Sequence, residues 1–383
     1  MILDSSRRAV VSVNLAAIER NVGILRTHAV DAAVCAVVKA DGYGHGAVAS
    51  AGAALAGGAT WLAVAGSLEA LTLREGGIEA PILVLGALTP VELDEAIRAR
   101  ADVVAWREDF VAALAATGAS VGVHVKLDSG MGRLGTRDPA EGLRVAQAVL
   151  DAPALHLAGA MTHFATADEL GDGFFDEQLL RFAPWAAAVR DLDPAVLVHA
   201  ANSAAILRDS SVRFDMVRPG IAIYGMDPFG IDPADHGLEP ALELTSYVAE
   251  VKPIAPGQSA GYGRRFVATE PTEIATVPIG YGDGWRRALT NASDVLVRGR
   301  RRPLAGTVSM DNITLDLGPD HDVERGDPVA LIGPQGRETL LAEEIAGRLG
   351  TINYEVTCGL TARVPRVYHR DGIPVDGDAG SDV

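Results

Sequence analysis

Eight short apolar runs, separated by amphipathic stretches, constrain the fold of this chain more than any other feature. They are AAVCAVVKA (32–40), TWLAVAG (60–66), APILVLGA (80–87), ADVVAW (101–106), VGVHVKLD (121–128), LAGAMTHF (157–164), AVLVHAANS (195–203) and RFDMVRPG (213–220). Short apolar runs bounded by turn residues read as buried strands. The stretches between them carry helix-start signals. Thr89 precedes Pro90 and a first-turn acid, and Asp138 precedes Pro139 and Glu141 in the same way. DEQLLRFAPWAAAVRDL is amphipathic, and its Pro184 predicts a kink. NLAAIERNVGILRTHA supplies an extra helix before the first run. Eight strands alternating with helices over about 200–250 residues meet the requirement of a (β/α)8, TIM-like barrel. The rival is an open doubly wound sheet, which the missing GxGxxG after the first strand disfavours.

Past residue 240 the pattern changes to strands and turns, as in LTSYVAEVKPIAPGQSAGYG and SDVLVRGRRRPLAGTVSMDNITLDLG. One helix, LLAEEIAGRLG, ends on Gly350. The expected organisation is a barrel over 1–240, a mostly antiparallel β domain over 241–370 and a frayed tail over 371–383. The first ten or so residues are open to joining the β domain. With 50 acidic and 33 basic residues the net charge is −17, which argues against a general nucleic-acid surface. The basic cluster Arg298, Arg300, Arg301 and Arg302 reads as a solvated turn. Two distant cysteines, Cys35 and Cys358, build no disulfide framework. MILDSSRRAVVSVNL lacks the apolar stretch of a signal peptide. The uncharged stretch 47–68 reads as helix, turn and strand, with a membrane span as the weaker alternative. A cytoplasmic enzyme without membrane or nucleic-acid partners is expected.

Barrel enzymes carry their chemistry at the C-terminal ends of the strands. The polar residues there are Lys39, Lys126 with Asp128, Arg133, His163, Asn202 with Ser203, and Arg218 with Gly220. Cations and hydroxyls dominate, so the pocket favours anions. Ser203 and Gly220-Ile221 fall after strands seven and eight, where barrels bind phosphate. A lysine beside a phosphate site points to pyridoxal 5'-phosphate held as a Schiff base. His124, His156 and His199 lie within strands and read as core residues, and His45 as a turn residue. The nine histidines show no metal-ligand spacing, so no metal is expected.

AVVKADGYGHG (36–46) resembles the cofactor-lysine motif of the alanine racemase family. KLDSGMGRLG, THFATAD, HAANSAAIL, DMVRPGIAIYG, AGYGRRF, VPIGYGDGW, GTVSMDN and INYEVTCGLTARVPRVY resemble further blocks of that family, in order, over residues 10–370. The resemblance implies a pyridoxal-phosphate barrel with a C-terminal β domain. It implies a homodimer with shared active sites that interconverts L- and D-alanine by a two-base mechanism and supplies D-alanine for peptidoglycan. Lys39 would hold the cofactor and act as base on one face of the substrate. Tyr262, from the second subunit, would act on the other, with His163 and Arg133 near its oxygen. Arg218 would face the pyridine nitrogen. Ser203, Gly220, Ile221, Tyr43 and Tyr354 would hold the phosphate. Arg133 and Met310 would bind the substrate carboxylate, while Asp311 and Tyr281 would line the entrance. Lys126, carbamylated in many relatives, would orient Arg133. The bulk of Tyr354, Tyr43 and Met310 favours a small side chain. A serine or broad-specificity racemase is the alternative. A decarboxylase on the same barrel is disfavoured by Arg218, and a non-catalytic cofactor carrier by the presence of the β domain.

Overall fold

Strand β1 (Ala9–Asn14) and helix Leu15–Ala29 lead into eight parallel strands. These are β2 (Ala33–Val37), β3 (Trp61–Val64), β4 (Ile82–Val84), β5 (Asp102–Ala105), β6 (Val121–Lys126), β7 (Leu155–Met161), β8 (Leu197–His199) and β9 (Met216–Val217). They pair in chain order and close from β9 back to β2. The computed structural model describes residues 7–375. Each expected apolar run supplies one barrel strand. β6 is buried at every position, because the barrel interior covers one face and helices the other. β7 starts at Leu155, two residues before the expected run. It ends at Met161, and the next carbonyl, that of Thr162, accepts from Arg218 instead.

The helices start where the sequence signals. Thr89 Oγ1 accepts from the Glu92 amide, and the Glu92 carboxylate accepts from the Thr89 amide at 2.8 Å. Asp138 Oδ1 caps helix Pro139–Leu150 through the Ala140 amide. Helix Phe174–Leu192 runs unbroken through Pro184. The carbonyl that Pro184 leaves without an amide partner belongs to Leu180, an exposed residue that water can reach. Among the described residues no helix is long and apolar enough to cross a membrane.

The chain divides into two units. The barrel unit is Ile18–Ile223 with His236–Leu238. Among the described residues, the β unit takes 7–17, Tyr224–Asp235 and 239–375. The division thus falls near Ile223, where the sequence placed it near residue 240. The β unit's main sheet holds β1 at an inner position. β1 pairs antiparallel with Leu242–Tyr247 and parallel with Arg366–Arg370. A second, antiparallel sheet joins Glu250–Ile254, Thr272–Val277 and Ile313–Gly318. Of the expected tail, Ile373–Pro374 forms a hairpin strand on His369–Arg370, and 376–383 lie outside the described residues.

Two expectations change. Arg300–Pro303 is a strand, while Arg298 stands in the exposed turn before it, as expected. Arg298 makes a two-point contact with Asp327 at 2.6 and 3.1 Å, and Arg301 bridges Glu338 and Glu344. Arg298 and Arg301 commit their charges to ion pairs, and Arg302 donates to the Leu317 carbonyl. His156 is exposed, its Nε2 3.3 Å from Ser120 Oγ, because it points out of the barrel.

Candidate active site

In the barrel unit, β2 ends and the chain makes a left-handed turn through Ala40, Asp41, Gly42 and Tyr43, with φ of 52°, 52°, 61° and 54°. Left-handed backbone costs L-residues about 1–2 kcal/mol each, so something must hold it. Asp41 Oδ1 accepts from the Ala47 amide at 2.8 Å. Glu69 accepts from the Ala40 amide at 2.6 Å with one oxygen, and from the Ala65 and Gly66 amides with the other. Nδ1 of the buried His45 lies 3.0 Å from the Gly42 carbonyl, in keeping with its expected turn role. Lys39 is thereby fixed, half-buried, at the mouth of the barrel.

Tyr43 turns inward. Its hydroxyl lies 2.4 Å from where a Cβ on Gly220 would stand, so only glycine at 220 admits the ring. Ser203 Oγ accepts from the Gly220 amide at 2.9 Å and from the Ala222 amide at 3.3 Å. Tyr43, Ser203, Gly220 and Ile221 therefore converge after β8 and β9.

Arg218 follows β9, the neighbour of β2, and is only 3 % exposed. It donates to His199 Nδ1 at 2.7 Å and to the carbonyls of Thr162 and Ala200 at 2.8 and 3.0 Å. Burial lowers its pKa to about 10, yet it stays a cation at neutral pH. His163 lies 3.4 Å from Arg218 Nη2. Its pKa is held well below 6.5 by burial, then by the charges of Arg218, Lys126, Arg133 and Lys39. These four cations gather around one neutral imidazole. Lys126 is pulled down to about 8 by burial and by Arg218 and Arg133. Such a mouth attracts a phosphate or carboxylate. Asp128 turns to its own loop, where it accepts from the Gly130 and Gly132 amides and from Arg137.

In the β unit, Tyr262 is 74 % exposed. Its carbonyl accepts from Thr307 Oγ1 at 2.7 Å, and Gly261 and Gly263 at φ of 72° and 70° make the turn that presents it. Tyr281 and Met310 are exposed on two loops that meet, as the Tyr281 amide donates to the Ser309 carbonyl and the Gly282 amide to the Met310 carbonyl. Asp311 pairs with Arg363 at 2.6 Å. Tyr354 is half-buried in helix Asn353–Cys358, which Asn353 anchors through the Asp227 carbonyl and Glu343.

Family models match both parts of the chain: "Alanine racemase, N-terminal domain" over residues 13–228 and "Alanine racemase, C-terminal domain" over 241–368. The chain belongs to the alanine racemase family. An alanine racemase of Symbiobacterium thermophilum is 41 % identical, over 96 % of this chain and 99 % of that one. One of Geobacillus stearothermophilus is 43 % identical, over 96 % and 95 %. Among solved structures, the alanine racemase of E. faecalis superposes with a TM-score of 0.90 at 37 % identity, over 96 % of this chain and all of the other. That of Bacillus anthracis with bound L-Ala-P gives 0.90 at 40 %, over 97 % of each. The barrel strands and the β unit read from the sequence are therefore those of an alanine racemase fold.

The site residues expected in the barrel of this family member stand together: Lys39, Tyr43, Lys126, Arg133, His163, Ser203, Arg218, Gly220 and Ile221. Tyr262, Tyr281, Met310, Asp311 and Tyr354 belong to the β unit. Sequence reasoning missed three supports. Glu69 reads in sequence only as the third residue of a helix. Gln178 donates to the His163 carbonyl and accepts from the Ala165 amide, but reads as one polar residue on a helix. His199, expected as inert filling, accepts from Arg218; no linear signal shows which strand residues meet across a barrel.

Proposed function

We propose that this protein interconverts L-alanine and D-alanine with pyridoxal 5'-phosphate, in a homodimer whose sites are shared between subunits. The buried Arg218, fixed by His199, Thr162 and Ala200 on the strand beside that of Lys39, carries this reading. The site fits the cofactor. Its phosphate suits the Tyr43 hydroxyl, Ser203 and the backbone at Gly220 and Ile221, where the missing Cβ admits the Tyr43 hydroxyl beside Ser203. Its pyridine nitrogen suits Arg218.

Bound pyridoxal phosphate supplies an electron sink that acidifies the α-hydrogen of an amino acid. A guanidinium can only donate, so Arg218 leaves the pyridine nitrogen without a full proton. It thereby restrains the sink to proton transfer at the α-carbon rather than deeper delocalisation. The amine of Lys39 would hold the cofactor and would take or return a proton on one face of the substrate. Tyr262 of the partner subunit serves the opposite face, which inversion demands. Arg133, with Met310 of the partner subunit, receives the substrate carboxylate, while neutral His163, whose Nδ1 faces the Arg218 donor, keeps its proton on Nε2 and can donate it toward the tyrosine oxygen. The small substrate, the cytoplasmic location and a role in supplying D-alanine for cell-wall precursors complete the reading.

Purified protein incubated with L-alanine and pyridoxal phosphate is expected to form D-alanine until the enantiomers are equal. Turnover of serine with alanine inert would transfer the reading to a serine or broad-specificity racemase.

A further inference from the structure

The interior of the barrel carries a chain of polar contacts that runs away from the reaction mouth. Arg218 donates to His199 Nδ1 at 2.7 Å, His199 Nε2 lies 2.8 Å from His124 Nδ1, and His124 Nε2 lies 3.3 Å from Asp102 Oδ2. Both imidazoles are fully buried. Asp102 is the first residue of β5, so it stands at the end of the parallel barrel opposite Lys39, which lies just past the last residue of β2.

The chemistry of the two ends gives this chain one direction. A guanidinium has no acceptor, so His199 Nδ1 must accept, and the His199 proton sits on Nε2. That proton is donated to His124 Nδ1, which places the His124 proton on Nε2. It is donated in turn to Asp102, a carboxylate that only accepts. The strong depression of the His199 pKa by burial and by Arg218 agrees with a neutral ring. The backbone leaves room for each link. A Cβ on Gly159, the cross-strand neighbour of His124, would stand 2.1 Å from His124 Nδ1. A Cβ on Gly122 would stand 2.4 Å from Asp102 Oδ2.

We propose that Asp102 is a positioning residue for the reaction: as the terminal acceptor it holds His124 and His199 in the tautomers that Arg218 requires, and so keeps Arg218 aimed. This rests on the reading of Arg218 as the group facing the pyridine nitrogen. Without the carboxylate, His124 can carry its proton on either nitrogen. In the Nδ1-protonated form its proton meets the His199 Nε2 proton that Arg218 enforces, so the His124–His199 contact breaks and His199 is no longer held in line with Arg218. Outer partners orient a functional group in this way at metal sites, and a polarised hydrogen-bond chain transmits the effect.

The test uses the holoenzyme labelled with 15N-histidine, in which imidazole nitrogen shifts report each tautomer. The unsubstituted protein is expected to show His124 and His199 protonated on Nε2 only. Asp102→Leu is expected to mix the His124 tautomers and lower kcat about tenfold to a hundredfold, with KM within about twofold, as for loss of orientation alone. Asp102→Asn keeps an acceptor oxygen and is expected to retain the tautomers and most of kcat. Should Asp102→Leu not fold, Gly122→Ala displaces the same carboxylate and carries the same expectations. A folded Asp102→Leu with unchanged tautomers or unchanged kcat overturns the proposal, as does an Asn variant as impaired as the Leu variant. Failure of the underlying reading looks different: the unsubstituted protein would not racemise alanine, whatever its imidazole signals.

Discussion

At the scale of single residues, the site gathers cations around one half-buried imidazole, and each should answer to substitution. Lys39→Ala is expected to abolish the visible absorbance of covalently held pyridoxal phosphate; retention of that band would show that another amine holds it. Tyr262→Phe should slow α-hydrogen exchange with solvent from one enantiomer far more than from the other, followed by NMR in deuterium oxide. Lys126 is pulled down to about 8 by burial, Arg218 and Arg133, which makes its neutral amine more accessible near neutral pH than that of an exposed lysine. Its amine can add to carbon dioxide, losing a proton and leaving a carbamate anion beside Arg133. Intact mass measured with and without bicarbonate should differ by one carbon dioxide, and Lys126→Ala should remove the difference. The buried imidazoles give a pH signature. His163 and His199 ionise well below 6.5 in the folded chain, first because they are buried and next because of Arg218. The unfolded chain therefore binds protons first as pH falls, and stability declines below the unfolded value of about 6.5. Melting temperatures at about pH 5 should lie below those at about pH 7. Most of these residues were legible in the sequence because a charge at the end of an apolar run is costly without a task. His199 and Glu69 were not, since their partners are distant in sequence and ordinary in type.

At the scale of elements, the glycines separate two kinds of position. Gly220 faces the Tyr43 hydroxyl, so Gly220→Ala should displace that ring, costing about 1–3 kcal/mol of stability and weakening cofactor affinity, read by melting and by fluorescence titration. Gly23 lies within helix Leu15–Ala29, where an added Cβ would meet nothing within 4 Å, and Gly23→Ala should instead stabilise by about 0.5–1 kcal/mol. The barrel strands were readable because both of their faces are covered, which writes continuous apolar runs into the sequence. The edge strand Arg300–Pro303 was not, because it is mostly exposed and carries no apolar run, its Arg301 pairing with Glu338 and Glu344 instead.

At the scale of the whole molecule, the proposed sharing of sites makes a prediction about mixtures. Subunits of Lys39→Ala and Tyr262→Phe, exchanged and reassociated at random, should regain about one quarter of the unsubstituted activity, since half of the dimers hold one intact site of two. No recovery after demonstrated subunit exchange would place both residues of a site in one subunit. The strand Ala9–Asn14 has a further consequence. It leaves the ribosome well before its parallel partner Arg366–Arg370, from which most of the described chain separates it. At about 5–20 residues per second, synthesis leaves this apolar ribbon waiting tens of seconds for its neighbour. A translation product released early would carry a bare, sticky edge, which gives chaperones something to shield and proteases a mark of incompleteness.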